Sequence, residues 1–351
     1  MPIPNKNVVV DAYFLNNLGD DLFLDILINR YPNTIFHFLT DNFNNIQNFR
    51  NNERVKLIST TKLLININKY DAYVTIGGSL FQQENYWKKK WLNKYIKTSL
   101  FKIFGKKVVF MGFNFGPYQD EKYLNSYKKI FKKADFVSVR DKESYDLLAM
   151  DSSSVYLYPD IAFSLPYDES NFKKEIVGIS IMDFGPNHEN KEYKKFMNET
   201  IETLISKNKQ IKIFGFQNDS FINDYSVIKE VTDSFSQENI EIILYENNLK
   251  EFLSEYSSCR YFITTRFHSM ILSLIYKQTL ISINYSDKVI NTLNYLNLKI
   301  STIDCERKND IESLVTVLLN NPTLSESNSE KIKKAKNESE KHFELLDKIL
   351  D

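Results

Sequence analysis

The feature that most restricts the fold of this chain is a regular alternation of short apolar runs with longer helical patterns. Such runs lie at 8–10, 73–76 and 108–111 in the first half and at 176–181 and 211–214 in the second. Apolar runs this short, separated by stretches long enough for a helix, predict crossover units and a mainly parallel sheet. The sequence therefore predicts an α/β fold.

The alternation is interrupted near 165–175, where a polar stretch contains Pro166, and it then restarts. A length of 351 residues, at about 150 residues per domain, favours two domains. We therefore predict a Rossmann-like domain over 1–168, a second over 169–322 and a carboxyl-terminal helix over 323–351. Two parallel sheets in tandem are expected to bind ligands in a cleft between the carboxyl ends of their strands.

Composition and charge exclude several classes of protein. The chain is 42% hydrophobic, which is too high for a disordered protein, and its 45 basic and 45 acidic residues give no global attraction to nucleic acid. Cys259 and Cys305 are too few for a disulfide framework, and no spacing of ligand residues predicts a metal site. Without a signal sequence or a long apolar run, the chain is predicted to be cytoplasmic.

Glycines and polar residues cluster where strands of the first half are predicted to end, although the chain has only 9 glycines. These residues are Asn17, Gly19, Asp20, Gly77, Gly78, Ser79, Asn114, Arg140 and Asp160. Turns of this kind direct backbone N–H groups and a positive helix end towards anions, and paired glycines allow close approach of a ligand. A capped turn at Asp20 and a structural salt bridge from Arg140 to Asp160 or Asp141 are the alternatives.

The strongest single motif follows a strand in the second half and opens an apolar helix. It consists of Arg266, Phe267, His268 and Ser269. At a helix N-terminus, an arginine fork and a titratable imidazole can converge on one anionic group of a substrate. A buried structural histidine is the alternative. Lys288, which follows Tyr285 after the next strand, is expected to face the same cleft.

Together, these motifs resemble those of the polysaccharide pyruvyl transferases. The matching segments, in the order of that family, are 17–20, 77–79, 139–144, 159–163, 266–268 and 285–288. The resemblance implies two Rossmann-like domains facing across a cleft, as in GT-B glycosyltransferases. It also implies transfer of pyruvate from phosphoenolpyruvate to a sugar diol, as a ketal, on a cell-surface polysaccharide or lipid-linked glycan.

The same resemblance predicts the roles of the residues and the partners. Arg266 and His268 are expected to be catalytic. The residues expected to bind substrate are Asn17, Gly19, Asp20, Gly77, Gly78, Ser79, Asn114, Arg140, Asp160, Phe267, Ser269, Tyr285 and Lys288. The second domain would bind the donor and the first the glycan acceptor. Phosphoenolpyruvate would be a substrate, so no cofactor and no metal are expected.

The sequence departs from the family at one position. In many members, the first strand of the second domain ends in an arginine that binds the donor, whereas this chain has Met182 or Asp183 there. Losing a charged hydrogen bond costs about 1.5–3 kcal/mol. Lys191, Lys194 or Gln217 could compensate, or the donor could differ. A glycosyltransferase that uses a nucleotide-activated sugar and a non-catalytic family member are therefore the alternative functions.

A last prediction concerns the basic segment 86–107, which carries eight lysines and no acidic residue. Trp87, Trp91 and Tyr95 recur every four residues and would form one stripe of a helix. A helix with aromatic and basic sides is typical of contact with an anionic membrane, here at its inner face. The alternative is that the stripe packs on the sheet.

Overall fold

The computed structural model describes residues 6–149, 154–167, 173–185, 191–219, 222–304, 310–321 and 326–350. These residues form two compact units. Unit 1 contains the described residues within Met1–Leu15, Asp20–Ser164 and Lys336–Asp351, and unit 2 those within Asn16–Gly19 and Leu165–Ala335.

Unit 1 is built on a seven-stranded sheet. Its strands are β1 (Lys6–Asp11), β2 (Thr34–Phe38), β3 (Val55–Leu57), β4 (Ala72–Ile76), β5 (Lys107–Phe113), β6 (Phe136–Val139) and β7 (Val155–Leu157). The helices of this half are α1 (Leu18–Arg30), α2 (Thr60–Ile65), α3 (Trp87–Ile103), α4 (Glu121–Phe131) and α5 (Lys142–Ala149). All strand pairs are parallel, in the order β3-β2-β1-β4-β5-β6-β7.

Unit 2 is built on a second sheet, of six strands. They are β8 (Lys174–Ile181), β9 (Gln210–Gly215), β10 (Ile240–Leu244), β11 (Cys259–Thr264), β12 (Thr279–Ile283) and β13 (Ser301–Ile303). The remaining helices are α6 (Lys191–Ser206), α7 (Asp224–Thr232), α8 (Leu249–Ser258), α9 (Phe267–Ile275), α10 (Asp287–Tyr295), α11 (Ile311–Asn320), α12 (Glu326–Ser339) and α13 (Glu344–Leu350). Pairing is again parallel throughout, in the order β10-β9-β8-β11-β12-β13.

The prediction of an α/β fold with two parallel sheets is confirmed. The central strands are apolar runs because helices cover both faces of the sheet, and every residue of β4 and of β12 is buried. In each sheet the strand order reverses once, between β1 and β4 in unit 1 and between β8 and β11 in unit 2. Ligands of such sheets bind outside the carboxyl ends of the strands at these switch points.

The predicted domain boundaries after residues 168 and 322 lie outside the described residues. Contacts divide the chain between Ser164 and Leu165, and again inside α12, between Ala335 and Lys336. The predicted carboxyl-terminal helix over 323–351 is therefore shared by the two units, with α12 and α13 as separate helices.

The end of the chain belongs to unit 1 because its polar side chains are bonded there. Arg30, at the end of α1, pairs with Asp347 at 2.7 Å and also contacts Glu340. The hydroxyl of Tyr31 donates to Asp347 at 2.7 Å. These contacts join the carboxyl-terminal helix to the first helix of the chain.

His342 is a buried histidine of this carboxyl-terminal segment. Its Nε2 lies 2.8 Å from the carbonyl oxygen of Pro159, which can only accept, so Nε2 carries the proton. The Nδ1 atom then accepts from the hydroxyl of Ser138, at 2.7 Å. Burial lowers the pKa of His342 to about 4, so the imidazole is neutral in the folded protein.

This environment predicts a loss of stability in acid. An unfolded histidine titrates at 6.5 and folded His342 near 4, so between these values the unfolded state binds the additional proton. Stability therefore falls as pH decreases through this window, by about 2 kcal/mol from this group at about pH 5. Urea unfolding at neutral pH and in acid should show a larger loss in the wild type than in His342→Gln. Equal losses in the two proteins would contradict the assignment.

The aromatic stripe of the basic segment 86–107 packs inside unit 1. Trp87 is buried edge-on against Tyr123, with ring centroids 5.3 Å apart, and Trp91 Nε1 donates to the carbonyl oxygen of Ser126 at 2.8 Å. The stripe therefore belongs to the core, and contact with a membrane stays a prediction for the exposed side of α3. Among the helices of the described residues, none combines the length and hydropathy needed to cross a membrane.

Candidate functional site

The residues predicted from sequence lie in two clusters, one at the carboxyl end of each sheet. The unit 1 cluster contains Asp20, Gly77, Gly78, Ser79, Asn114, Arg140 and Asp160. The unit 2 cluster contains Asn17, Gly19, Arg266, Phe267, His268, Ser269, Tyr285 and Lys288. Asn17 and Gly19 thus lie with the residues of the second half, although they open the first helix of the chain.

Arg140 is the centre of the unit 1 cluster. Its Nη1 donates to Asp160 at 2.6 Å and its Nη2 donates to Asn114 at 2.8 Å. The hydroxyl of Ser79 donates to the same oxygen of Asn114, at 3.1 Å. The side chains of Arg140 and Asp160 are only 6% and 1% exposed. The salt bridge that the sequence left open is therefore present, and it holds the predicted ligand residues together.

Gly78 has a steric reason to be glycine. A Cβ at this position would lie 2.7 Å from both terminal nitrogens of Arg140. The second glycine of the pair therefore gives the guanidinium the room that its two hydrogen bonds require.

Asp20 has the most perturbed carboxyl group of this cluster. Burial, followed by the charge of neighbouring Asp21, raises its pKa to about 7, although Arg140 and the Gly78 N–H act in the opposite direction. Both the protonated and the ionised forms are therefore populated near neutral pH. A group with this property can exchange a proton with a substrate hydroxyl.

Arg266 is held in unit 2 by an acid that the sequence did not single out. Its Nε donates to Asp224 Oδ2 at 3.1 Å, and its Nη2 contacts the other oxygen of the same carboxylate. Its Nη1 lies 3.3 Å from the side-chain oxygen of Gln217. Asp224 is completely buried and therefore balances the charge of the arginine. Asp224 is the first residue of α7. The only sequence feature that could have indicated its role is an acidic residue in the segment that follows strand β9.

The position of the family arginine is occupied by a loop that also depends on Asp224. The backbone N–H of Asp183 donates to Asp224 at 2.9 Å, and the Asp183 carboxylate accepts from the N–H groups of Asn223 and Gly185. Asp183 therefore shapes this loop. Of the residues expected to compensate, Gln217 contacts Arg266, whereas Lys194 pairs with a surface glutamate.

His268 lies against the loop that opens the first helix. A Cβ at Gly19 would overlap the imidazole ring, so glycine is required for this contact. The loop is fixed by Asn17, whose Nδ2 donates to Gln217 at 2.8 Å and whose oxygen accepts from the Gly19 N–H at 2.9 Å. The backbone N–H of Leu18 donates to Phe216. The loop and the His268 helix therefore form one packed site.

If His268 has its predicted catalytic role, Gly19→Ala should lower turnover about 10- to 100-fold. The added methyl group must displace the imidazole, and small misplacements of a catalytic group are that costly. Gly105→Ala is the matched control. Its Cβ would meet no atom, but its φ of +68° is strained for alanine, so about 1 kcal/mol of stability should be lost with turnover unchanged. Steady-state rates and thermal unfolding of both variants provide the measurement. Equal turnover in the Gly19→Ala variant and the wild type would be inconsistent with this site.

Two helices begin side by side at the carboxyl ends of the neighbouring strands β11 and β12. Neither Arg266, before α9, nor Ser286, before α10, caps its helix with a side-chain hydrogen bond. The side-chain oxygens of Ser282, Asn284 and Ser286 are buried without a hydrogen-bond partner among the described residues. Buried polar atoms are normally paired, so this edge is suited to a polar ligand.

The remaining predicted residues border this edge. Phe267 is buried, and the hydroxyl of Ser269 is engaged with the Tyr256 hydroxyl at 2.7 Å. Tyr285 packs on Phe184 with ring centroids 5.8 Å apart. Lys288 lies in the first turn of α10. The backbone N–H groups of two helix N-termini, an arginine, a histidine and a lysine are thus brought to one edge, as an anion site requires.

The fold and this site define a protein with two Rossmann-like units that has polar and basic residues at the strand ends of unit 2. The chain belongs to the polysaccharide pyruvyl transferase family, whose model matches residues 17–287. It is also similar to the amylovoran biosynthesis protein AmsJ of Erwinia amylovora, with 21% identity over 279 residues. That match covers 71% of this chain and 63% of the Erwinia protein.

Solved structures resemble the whole chain in fold. Anabaena Alr3699/HepE, solved with UDP and glucose, superposes with a TM-score of 0.58 at 8% identity, covering 99% of this chain and 97% of that protein. The UDP-GlcNAc 2-epimerase of Methanocaldococcus jannaschii gives 0.60 at 12% identity, covering 99% and 100%. These proteins have the GT-B type of fold, so the predicted fold class is confirmed. The cleft between the domains stays a prediction.

Proposed function

We propose that this protein transfers a pyruvyl group from phosphoenolpyruvate to a diol of a glycan, forming a ketal on a cell-surface polysaccharide or its lipid-linked intermediate. The observation that carries the proposal is the anion site of unit 2. There, two helix N-termini without a side-chain cap lie with Lys288 and His268. Beside them are buried polar atoms of Asn284 and Ser286 that have no hydrogen-bond partner among the described residues. A small donor with a phosphate and a carboxylate matches such a site.

The chemistry follows from the donor. A proton added to the methylene carbon of phosphoenolpyruvate makes the neighbouring carbon electrophilic, and the two hydroxyls of the diol add to it in turn. Two carbon–oxygen bonds form, the bond to phosphate breaks, and the hydroxyl protons leave. His268 is the proposed general acid or base because imidazole titrates near neutral pH. Asp20, with a pKa of about 7, is suited to receive a proton from an acceptor hydroxyl.

In this proposal Arg266 mainly positions the site, because most of its hydrogen-bonding atoms are already paired within the protein. Asp224 holds its Nε and Nη2, so these atoms fix the start of α9. Nη1, the N–H groups of the two helix N-termini and Lys288 then supply the positive field that the donor requires. The ion pair with Asp224 supports a positioning role for Arg266, and the contact of Lys288 with phosphate is part of the proposal.

The remaining features of the proposal follow from the reaction. Proton transfer and electrostatic stabilisation need no cofactor and no metal, and phosphoenolpyruvate is itself the donor. Because phosphoenolpyruvate is made in the cytoplasm, we place the reaction there, at the inner face of the membrane when the acceptor is lipid-linked. Unit 1, with Asp20 and the Arg140 cluster, is the proposed acceptor side.

The test is an assay of the purified protein with phosphoenolpyruvate and a set of glycan acceptors. Phosphate release that depends on the acceptor, together with a ketal detected by NMR on the product, is the expected result. Lys288→Met should lose this activity, whereas Lys194→Met, a surface cation of the same unit, should retain it. Absence of a ketal with every acceptor, in a folded protein that does not bind phosphoenolpyruvate, would refute the proposal.

A nucleotide-sugar glycosyltransferase is the second candidate, because Met182 or Asp183 stands where the family has its donor-binding arginine and proteins of similar fold were solved with UDP. Thermal unfolding separates the two functions, since a ligand that binds only the folded state raises the midpoint. A shift with phosphoenolpyruvate and none with UDP, CMP or GDP is expected. The opposite pattern would favour the glycosyltransferase, and no shift with either class would favour a non-catalytic protein.

A further inference from the structure

A second polar cluster lies in unit 1, at the end of β1, and has no part in the mechanism above. One oxygen of Asp11, Oδ2, accepts hydrogen bonds from Lys94 Nζ at 3.1 Å and Lys97 Nζ at 3.0 Å. The hydroxyl of Tyr73 contacts the same oxygen. Both lysines come from α3, which covers this face of the sheet.

The charges of this cluster do not balance. Two ammonium groups share one carboxylate, and among the described residues no other carboxylate pairs with either lysine. The side chains of Lys94 and Lys97 are 15% and 7% exposed, and Asp11 is 20% exposed. A buried ammonium without its own counter-charge is costly, so a fold that needed only packing here would not favour a second lysine.

The electrostatics of the individual groups agree with this excess of positive charge. Burial lowers the pKa of Lys94, and the charge of Lys97 acts in the same direction, while Asp11 opposes both. Burial would raise the pKa of Asp11, but Lys94, Lys97 and the Tyr73 hydroxyl together hold it well below its usual range. Asp11 is therefore ionised and cannot neutralise both lysines.

The position of the cluster in the sheet is the one where ligands bind. Asp11 ends β1 and pairs in register with Thr75 of β4, which is the strand pair where the order of the sheet reverses. Lys94 Nζ lies 3.5 Å from the Thr75 hydroxyl oxygen. Thr75 is followed after one residue by the Gly77–Gly78 turn of the unit 1 cluster.

We propose that Asp11, Thr75, Lys94 and Lys97 form a site for an anionic group of the glycan acceptor, a phosphoryl or a carboxylate group. The identification of the ligand as the acceptor rests on the proposed function. The anion would bind the ammonium group of Lys94, which is the more exposed of the two lysines. Asp11 would remain paired with Lys97. Lysine binds such oxyanions as a point charge, and the buried Thr75 hydroxyl accepts from Lys94 on the side away from solvent.

The two tryptophans of the chain provide a local reporter. Trp87 and Trp91 both lie on α3, two turns and one turn before Lys94, and unit 2 contains no tryptophan. We would titrate the full-length protein with pyrophosphate, glucose 1-phosphate, glucuronate and, as the uncharged control, glucose. A saturable change in tryptophan emission is expected with a charged probe and not with glucose. Saturation by the phosphates alone or by glucuronate alone identifies which anionic group the site takes.

Substitutions on the same helix assign the response to the site. Lys94→Met should weaken binding about tenfold or more, as expected for the loss of one charged hydrogen bond, while Lys94→Arg should retain it. Lys102→Met, which removes a lysine paired with Asp135 on the same helix, is the matched control and should not alter the titration. Asp11→Asn, where it folds, should tighten binding because it removes the carboxylate that competes for the lysines.

The proposal is overturned by two results. One is a folded wild-type protein whose emission does not change with any charged probe. The other is a titration by Lys94→Met that equals that of the wild type. Because this binding needs no turnover, its failure is distinct from failure of the transfer assay. A protein that forms ketals but does not bind anions at α3 would retain the proposed function and lose this site.

Discussion

Replacing Asp224 with asparagine is expected to lower the free energy of unfolding by about 3–5 kcal/mol, the cost of leaving a buried charge without its partner. Arg266 would keep its charge at 12% side-chain exposure while its only ion-pair partner among the described residues became neutral. Asparagine would also place an amide where Asp224 now accepts the backbone N–H groups of Phe216, Gln217 and Asp183. Urea unfolding followed by circular dichroism measures the change.

Glu230→Gln on the same helix is the matched control. Glu230 pairs with Lys194 at the surface, where its side chain is 58% exposed, so less than about 1 kcal/mol should be lost. The double variant Asp224→Asn with Arg266→Gln should be more stable than the sum of the two single losses predicts, because no charge is left unpaired. Additive losses, or a loss for Asp224→Asn as small as for Glu230→Gln, would show that the pair does not hold the site.

Much of the fold could be predicted because strands covered on both faces are nearly continuous apolar runs. The runs at 73–76 and 176–181 lie within β4 and β8, and the order of strands and helices gave parallel sheets. The contact between Arg140 and Asp160 was also foreseeable, since both residues follow strands whose ends meet at one edge. Patterns of this kind identify an element and the edge at which it ends.

The same patterns do not identify which side chains meet across elements. Asp224 and Arg266 are 42 positions apart, and nothing in either segment marks the other as its partner. The stripe of Trp87 and Trp91 has the same period whether it faces a membrane or a core, so only packing could decide. Lys94 was one of eight lysines in its segment and became distinctive only through its contact with Asp11. Tertiary contacts, which a single sequence does not contain, decided the role of each of these residues.

The other large effect is expected at His268, where substitution by alanine should lower kcat about 10²- to 10⁴-fold, the usual contribution of a positioned general acid or base. The KM for phosphoenolpyruvate should change only a few-fold, because the helix N-termini and Lys288 remain to bind the donor. Steady-state rates of phosphate release, measured over a range of phosphoenolpyruvate concentrations, separate these two quantities.

Two further measurements distinguish proton transfer from a structural role of the same residue. Added imidazole should restore part of the activity of His268→Ala, because the vacated space beside Gly19 can admit the free base, whereas a packing defect would not respond to it. The unfolding midpoint should change little compared with that of Asp224→Asn, since the imidazole is only partly buried. If His268→Ala instead kept wild-type kcat, His268 would not be the group that transfers the proton.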